Sequence, residues 1–250
     1  MSRWFNSSAT TNSKRYVNFS GNKIETTVTD KSEIVVNWIR EIRQIHTKRF
    51  LVGLDCEWKS NKCHKNEVAT LQLCIENKCL IIQLLHIDRI PRLLRGFLHD
   101  SAITFAGVEV ERDTRKLTED YGLKCFTVVD VQKLLAMKSD EWTFDFGVHQ
   151  PRLKARAFEA VGLPKKVTIM SNWEARVLRE DQVQYACIDA YVSYKLGHAL
   201  LMSQRGSVSN RVKTFDKINK LVISWLPPDE GVIKANCDGA SRGNPGNGGA

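Results

Sequence analysis

An apolar run, Phe50-Leu51-Val52-Gly53-Leu54, leads into Asp55-Cys56-Glu57-Trp58. In a strand, residues two apart point to the same side, about 7 Å from one another. Asp55 and Glu57 are therefore expected to project together, with Leu54 and Cys56 facing the other way. Two like charges at that separation repel by about 2 kcal/mol at an effective dielectric constant of roughly 20. A divalent cation is the natural compensation; the alternative is an edge strand carrying two solvated acids. A second acid, Asp189, stands four residues after Tyr185 and shares a helical face with it. That face also carries Ala186, Val192, Ser193 and Leu196, so Asp189 interrupts a mostly apolar stripe. A buried carboxylate is costly without a cation or donors, and a salt-bridged structural Asp is the other reading. The third group is Asp113, in the first turns of a helix that follows Phe105-Ala106-Gly107-Val108, with Leu117 four residues on towards the core. Glu109, Glu111 and Asp113 would equally suit a helix N-terminus.

The elements that must position these groups follow from periodicity and punctuation. Arg15 to Thr29 alternates and predicts two strands around Ser20-Gly21-Asn22. Ser32 opens a helix with Ile34, Val35, Trp38, Ile39 and Ile42 on one face. Strands are predicted at Phe50 to Trp58, at Ala69 to Ile75 and at Cys79 to Leu85, the last two joined as a hairpin at Glu76-Asn77-Lys78. A helix from Pro91 to Leu98, a strand from Ile103 to Val108 and a helix stopped by Gly122 follow. Thr127 to Val131 reads as a short strand. The chain from Pro151 reads as helical, and a long last helix runs from about Arg179 to Met202. Three antiparallel-looking strands followed by alternating strand and helix predict an α/β domain, a mixed sheet flanked by helices.

The 250 residues carry 42% hydrophobic and 26% charged residues, ordinary for a globular protein. No stretch approaches the roughly 18 apolar residues that a membrane span needs, so no membrane partner is expected. The net charge of +9 suits a polyanion. The seven cysteines form no Cys-x-x-Cys pair, which argues against a zinc ribbon. Most sit in apolar stretches and read as small buried hydrophobes of a reducing compartment. With no apolar leader, no secretory signal is expected; nucleus or cytoplasm is the default, without an organelle transit peptide.

Taken in order, the three acidic segments resemble the motifs of the DEDD exonuclease superfamily, in its tyrosine-containing subgroup. Asp55 and Glu57 match its Asp-x-Glu, Asp113 the second-motif acid, and Tyr185 with Asp189 the Tyr-x-x-x-Asp. Val52-Gly53-Leu54-Asp55-Cys56-Glu57-Trp58 and Ser171-Asn172-Trp173-Glu174 are similar to the Werner-syndrome-type exonuclease domain, particularly its stand-alone plant versions. The resemblance covers residues 15–202 and implies a ribonuclease H-like fold. It implies 3′→5′ exonuclease activity on nucleic acid, DNA first and RNA as the alternative, releasing nucleoside 5′-monophosphates. It also implies that Asp55, Glu57, Asp113 and Asp189 hold two divalent cations, Mg²⁺ or Mn²⁺, about 4 Å apart, with Tyr185 orienting the attacking water. Trp58 and Lys59 are candidates for nucleic-acid contact, with core packing and a solvated loop as their alternatives. Lys62, Lys65, Arg152, Lys154 and Arg156 are further cations that could touch phosphate. No Gly-x-x-x-x-Gly-Lys-Ser/Thr loop is present, so a helicase or repair partner would be a separate protein.

The ends differ from this domain. Residues 1–14 are polar and read as disordered, and residues 203–220 as a polar, basic linker. Residues 221–250, with Asn236-Cys237-Asp238-Gly239 and Gly243-Asn244-Pro245-Gly246, resemble the opening of a retroelement-type ribonuclease H domain in which Asp238 would be the first metal-binding acid. Some thirty residues are too few for a core. The expectation is a truncated fragment without a second activity, arising from a fusion or a mis-joined reading frame.

Overall fold

Ser20 and Gly21 take φ values of 46° and 74°, the left-handed pair that a two-residue hairpin connection demands. They join β1 (Ser13–Phe19) to β2 (Asn22–Thr29), antiparallel with Phe19 opposite Asn22. The computed structural model describes residues 12–59, 66–134 and 171–203. The amphipathic helix read from Ser32 is α1 (Ser32–Ile45), which buries Val35, Trp38, Ile39 and Ile42. It is followed by β3 (Phe50–Glu57), β4 (Thr70–Ile75) and β5 (Lys78–Gln83). The β4–β5 turn is the pair Glu76–Asn77, with Glu76 at φ 51°. Next come α2 (Arg92–Leu98), β6 (Ile103–Gly107), α3 (Val110–Tyr121), β7 (Thr127–Asp130) and α4 (Glu180–Ser203).

The strands form one seven-stranded sheet in the order β1-β2-β5-β4-β3-β6-β7. β4 is antiparallel to both its neighbours, β3 and β5, while β6 and β7 continue from β3 in parallel and β2 joins β5 in parallel. β3, which carries the acidic pair, is thus an interior strand. The reading of an edge strand with two solvated acids does not hold.

Glycines decide which face of the sheet receives α4. A Cβ on Gly53 would lie 2.0 Å from the Ala190 carbonyl oxygen and 2.6 Å from the Tyr194 amide nitrogen. A Cβ on Gly197 would lie 2.6 Å from that of Ala106. Both sites therefore admit only hydrogen, and α4 rests directly on β3 and β6. By strand alternation, Asp55 and Glu57 share this face with Gly53. Trp38, Phe97 and Phe105 cover the other face, with ring centroids 6.4 Å and 6.0 Å apart along the chain, so α1 and α2 lie there.

α3 ends as the sequence predicts: Gly122 takes φ 64°, and its amide bonds back to the Leu117 and Thr118 carbonyls. Gly122→Ala is expected to cost about 1 kcal/mol, because a Cβ opposes the left-handed conformation. A lowered urea midpoint with unchanged slope would show this; an unchanged midpoint would contradict it. Cys56, Cys74, Cys79 and Cys187 are buried free thiols and Cys125 is half-buried. Cys63, Cys237, the helix read from Pro151, and residues 204–250 lie outside the described residues. No helix among the described residues is long and apolar enough to cross a membrane.

Candidate active site

The pleat of β3 and the close approach of α4 bring Asp55, Glu57 and Asp189 together. One carboxylate oxygen from each lies within 4.8 Å of the others. Asp55 is 0% exposed and Asp189 2% exposed, while Glu57 is half-buried at the strand end. At this spacing and an effective dielectric constant of roughly 20, each pair of charges repels by about 3 kcal/mol. The donor set is all carboxylate oxygen, which hard divalent cations prefer. The three residues therefore fit such a cation.

Asp113 does not join this group. It is buried in the first turn of α3 and bears on Cys56, whose side chain points away from Asp55. Burial first, and next the carboxylates of Asp113 and Asp55, push the Cys56 thiol far above its ordinary range. Asp113 thus stands on α3 near the end of β3, outside the group that Asp55 and Glu57 of β3 form with Asp189 of α4. Glu109, the residue before α3, takes φ 55°. This left-handed turn swings the chain sharply from β6 into the helix that carries Asp113.

Tyr185 lies one turn before Asp189 on α4, 5% exposed, with its ring 5.9 Å from that of the buried Trp173. The segment holding Trp173 is tied down from both sides. Gln83 Nε2 donates to the Ala175 and Arg176 carbonyls at 3.0 and 3.2 Å. Gln182 Nε2 donates to Ser171 Oγ at 2.9 Å and the Asn172 carbonyl at 3.2 Å.

Trp58 is half-buried against the core. The Arg112 guanidinium stands 5.2 Å and the Lys116 ammonium 5.5 Å from its ring centroid. Lys59 pairs with Glu174 at 3.9 Å; Glu174 also accepts from Asn66 Nδ2 at 2.7 Å. Both ions of the Lys59 pair are substantially exposed. Such pairs contribute under about 1 kcal/mol, so Lys59 can be exchanged onto phosphate at little cost. Lys62, Lys65, Arg152, Lys154 and Arg156 fall outside the described residues.

Sequence reasoning passed over two residues of this site. Gln72 is fully buried directly opposite Asp55, and its Nε2 donates to Thr70 Oγ1 at 2.7 Å. Thr70 in turn stands opposite Glu57. A Gln within an apolar strand was visible, but its partner strand was not. Gly53 was legible in principle, since a glycine inside a strand marks close approach of another backbone.

A family model described as 3′-5′ exonuclease matches residues 26–203. Exonuclease 3′-5′ domain-containing protein 2 of Mus musculus is 32% identical over 177 residues, 68% of this chain and 27% of that protein. The bifunctional 3′-5′ exonuclease/ATP-dependent helicase WRN of Mus musculus is 31% identical over 160 residues, 59% of this chain and 11% of that protein. The chain thus spans well under two thirds of these curated relatives. The crystal structure of the Aedes aegypti Nibbler EXO domain covers 79% of this chain and 94% of its own, with a TM-score of 0.58 at 17% identity, a likeness of fold. The sheet order, the acids gathered beneath α4 and a family match over most of the sequence lead to one assignment: the chain belongs to the 3′-5′ exonuclease family, with its ribonuclease H-like fold.

Proposed function

We propose that the protein hydrolyses the terminal phosphodiester bond at the 3′ end of a nucleic-acid strand, with DNA as the first substrate, and releases nucleoside 5′-monophosphates. The observation that carries this reading is the group of three carboxylates within 4.8 Å, two of them almost fully buried. Asp55, Glu57 and Asp189 would hold a divalent cation, Mg²⁺ or Mn²⁺, and Asp113 would serve a second from the α3 side. When bound, such ions supply a water of lowered pKa near neutral pH and neutralise charge at the phosphate. The chain's own residues do the rest. Asp55 and Asp189, fixed by β3 and α4, set where the reacting phosphate can sit. Tyr185, braced by Trp173, orients the attacking water through its hydroxyl. The water oxygen bonds to phosphorus, the bond to the 3′ oxygen breaks, and that oxygen leaves with a proton. Trp58 and Lys59 contact the strand beside the site, and a helicase or repair protein would act as a separate partner.

Tyr185→Phe keeps the ring against Trp173 and removes only the hydroxyl. It is expected to lower kcat by roughly 100-fold, with KM and the melting temperature nearly unchanged. Chromatography of the nucleotides released from matched DNA and RNA strands checks both the product and the substrate class. Nucleoside 5′-monophosphates, released faster from DNA, are the expected result. Nucleoside 3′-monophosphates would contradict the proposed bond cleavage, and faster release from RNA would reassign the substrate.

A further inference from the structure

Of the cations about Trp58 and α3, three are engaged in ion pairs. Lys116 donates to Asp120 at 2.8 Å and to the Asn66 carbonyl. Lys133 pairs with Glu111 at 2.7 Å, and Lys59 with Glu174. Arg112 differs. It is exposed and forms no ion pair among the described residues, yet its guanidinium stands 5.2 Å from the Trp58 ring centroid. A guanidinium against an indole is held by the ring's charge distribution while its N–H donors stay available. Lys116, four residues on and on the same helical face, steadies the indole from its own fixed position.

The place of this cation suggests its use. Trp58 directly follows Glu57, and Arg112 directly precedes Asp113. Arg112 is thus linked to both halves of the acidic site. Adjacent Cα atoms are about 3.8 Å apart, so the chain keeps the guanidinium within on the order of 10 Å of the carboxylates next to it in sequence. That is the reach of a neighbouring backbone phosphate of the strand, not of the reacting one.

Resting on the exonuclease reading above, we propose that Arg112, held against Trp58, binds a backbone phosphate of the substrate strand upstream of the bond being cleaved. Arg112 is a binding and positioning residue that anchors the strand while the terminal nucleotide enters the acidic site. The fork of the guanidinium suits phosphate, and the indole limits where it can swing.

The test is the salt dependence of binding. Anisotropy with a fluorescent 3′-recessed DNA duplex in EDTA measures affinity without turnover. One lost phosphate contact makes the slope of log affinity against log salt shallower by about 0.7 to 0.9. Arg112→Ala is expected to show this change, with weaker binding and a rise in KM larger than the fall in kcat. Arg112→Lys should keep the slope with somewhat reduced affinity. Trp58→Phe, a weaker platform for the same cation, should keep the slope and lose part of the affinity. An unchanged slope in Arg112→Ala, or a fall in melting temperature as its only effect, would make Arg112 a structural cover for Trp58 and overturn the proposal. Wild-type protein that cleaves with metal while Arg112→Ala keeps its slope would sink only this inference; wild-type protein that neither binds nor cleaves would sink the exonuclease reading itself.

Discussion

Asp55→Asn is expected to reduce hydrolysis roughly 1,000-fold while leaving a protein that, without divalent cations, is more stable than wild type. The two effects share one cause. Asp55 is fully buried in an interior strand and lies with Glu57 and Asp189 in a group no wider than 4.8 Å. Removing one charge relieves two repulsions, each on the order of 3 kcal/mol before partial compensation. The same change removes a ligand from the cation, whose stabilisation of transition-state charge amounts to several kcal/mol, or about three powers of ten in rate. Asparagine keeps the shape, so packing beneath α4 is preserved. Melting curves with and without Mn²⁺ check the account. Wild type should gain stability with the ion, whereas the variant should start higher and gain little. A variant less stable than wild type in EDTA, with its activity retained, would show that Asp55 is a structural carboxylate.

Gly53→Ala is expected to damage fold and site together. Its Cβ would meet backbone, 2.0 Å from the Ala190 carbonyl and 2.6 Å from the Tyr194 amide. No rotamer change relieves such a contact, so α4 must move outward. Overpacking of this kind costs about 1–3 kcal/mol and sometimes more; with backbone as the obstacle, the upper end is expected. Asp189 immediately precedes Ala190, so any displacement carries it away from Asp55. Hydrolysis should therefore fall by about 100-fold or more in protein that remains folded, since small misplacement at a reacting centre is costly. Urea unfolding beside single-turnover cleavage separates the two effects. Full activity in a stable Gly53→Ala variant would show that the height of α4 over β3 does not set the site.

Much of this was legible in the sequence, for identifiable reasons. The i, i+2 pair Asp55 and Glu57 and the i, i+4 pair Tyr185 and Asp189 lie on single regular elements, so their shared faces follow from local periodicity. The turns at Gly21 and Gly122 follow from the backbone conformation that glycine allows. What could not be read depended on pairing between distant segments. Nothing local places Gln72 opposite Asp55, or the helix hydrogen-bonded through Glu180 to Arg15 across β3. The parallel pairing of β2 with β5 is of the same kind. Asp113 was readable as a motif residue, but its burial near Cys56 depends on the left-handed turn at Glu109 that leads β6 into α3. The engagement of Lys59 by Glu174 was hidden for a similar reason, since 115 residues separate them in the chain.

The most direct test of the central claim, a cation-dependent hydrolytic site at Asp55, Glu57 and Asp189, is digestion of a 5′-labelled, 3′-recessed DNA duplex. Wild type and Asp55→Ala would be run side by side with Mg²⁺, Mn²⁺ or EDTA. The predicted result is a ladder of products shortened one nucleotide at a time from the 3′ end, present with either metal and absent with EDTA and in the variant. A ladder of equal strength in EDTA or from Asp55→Ala, or no shortening by folded wild-type protein with either metal, would contradict it.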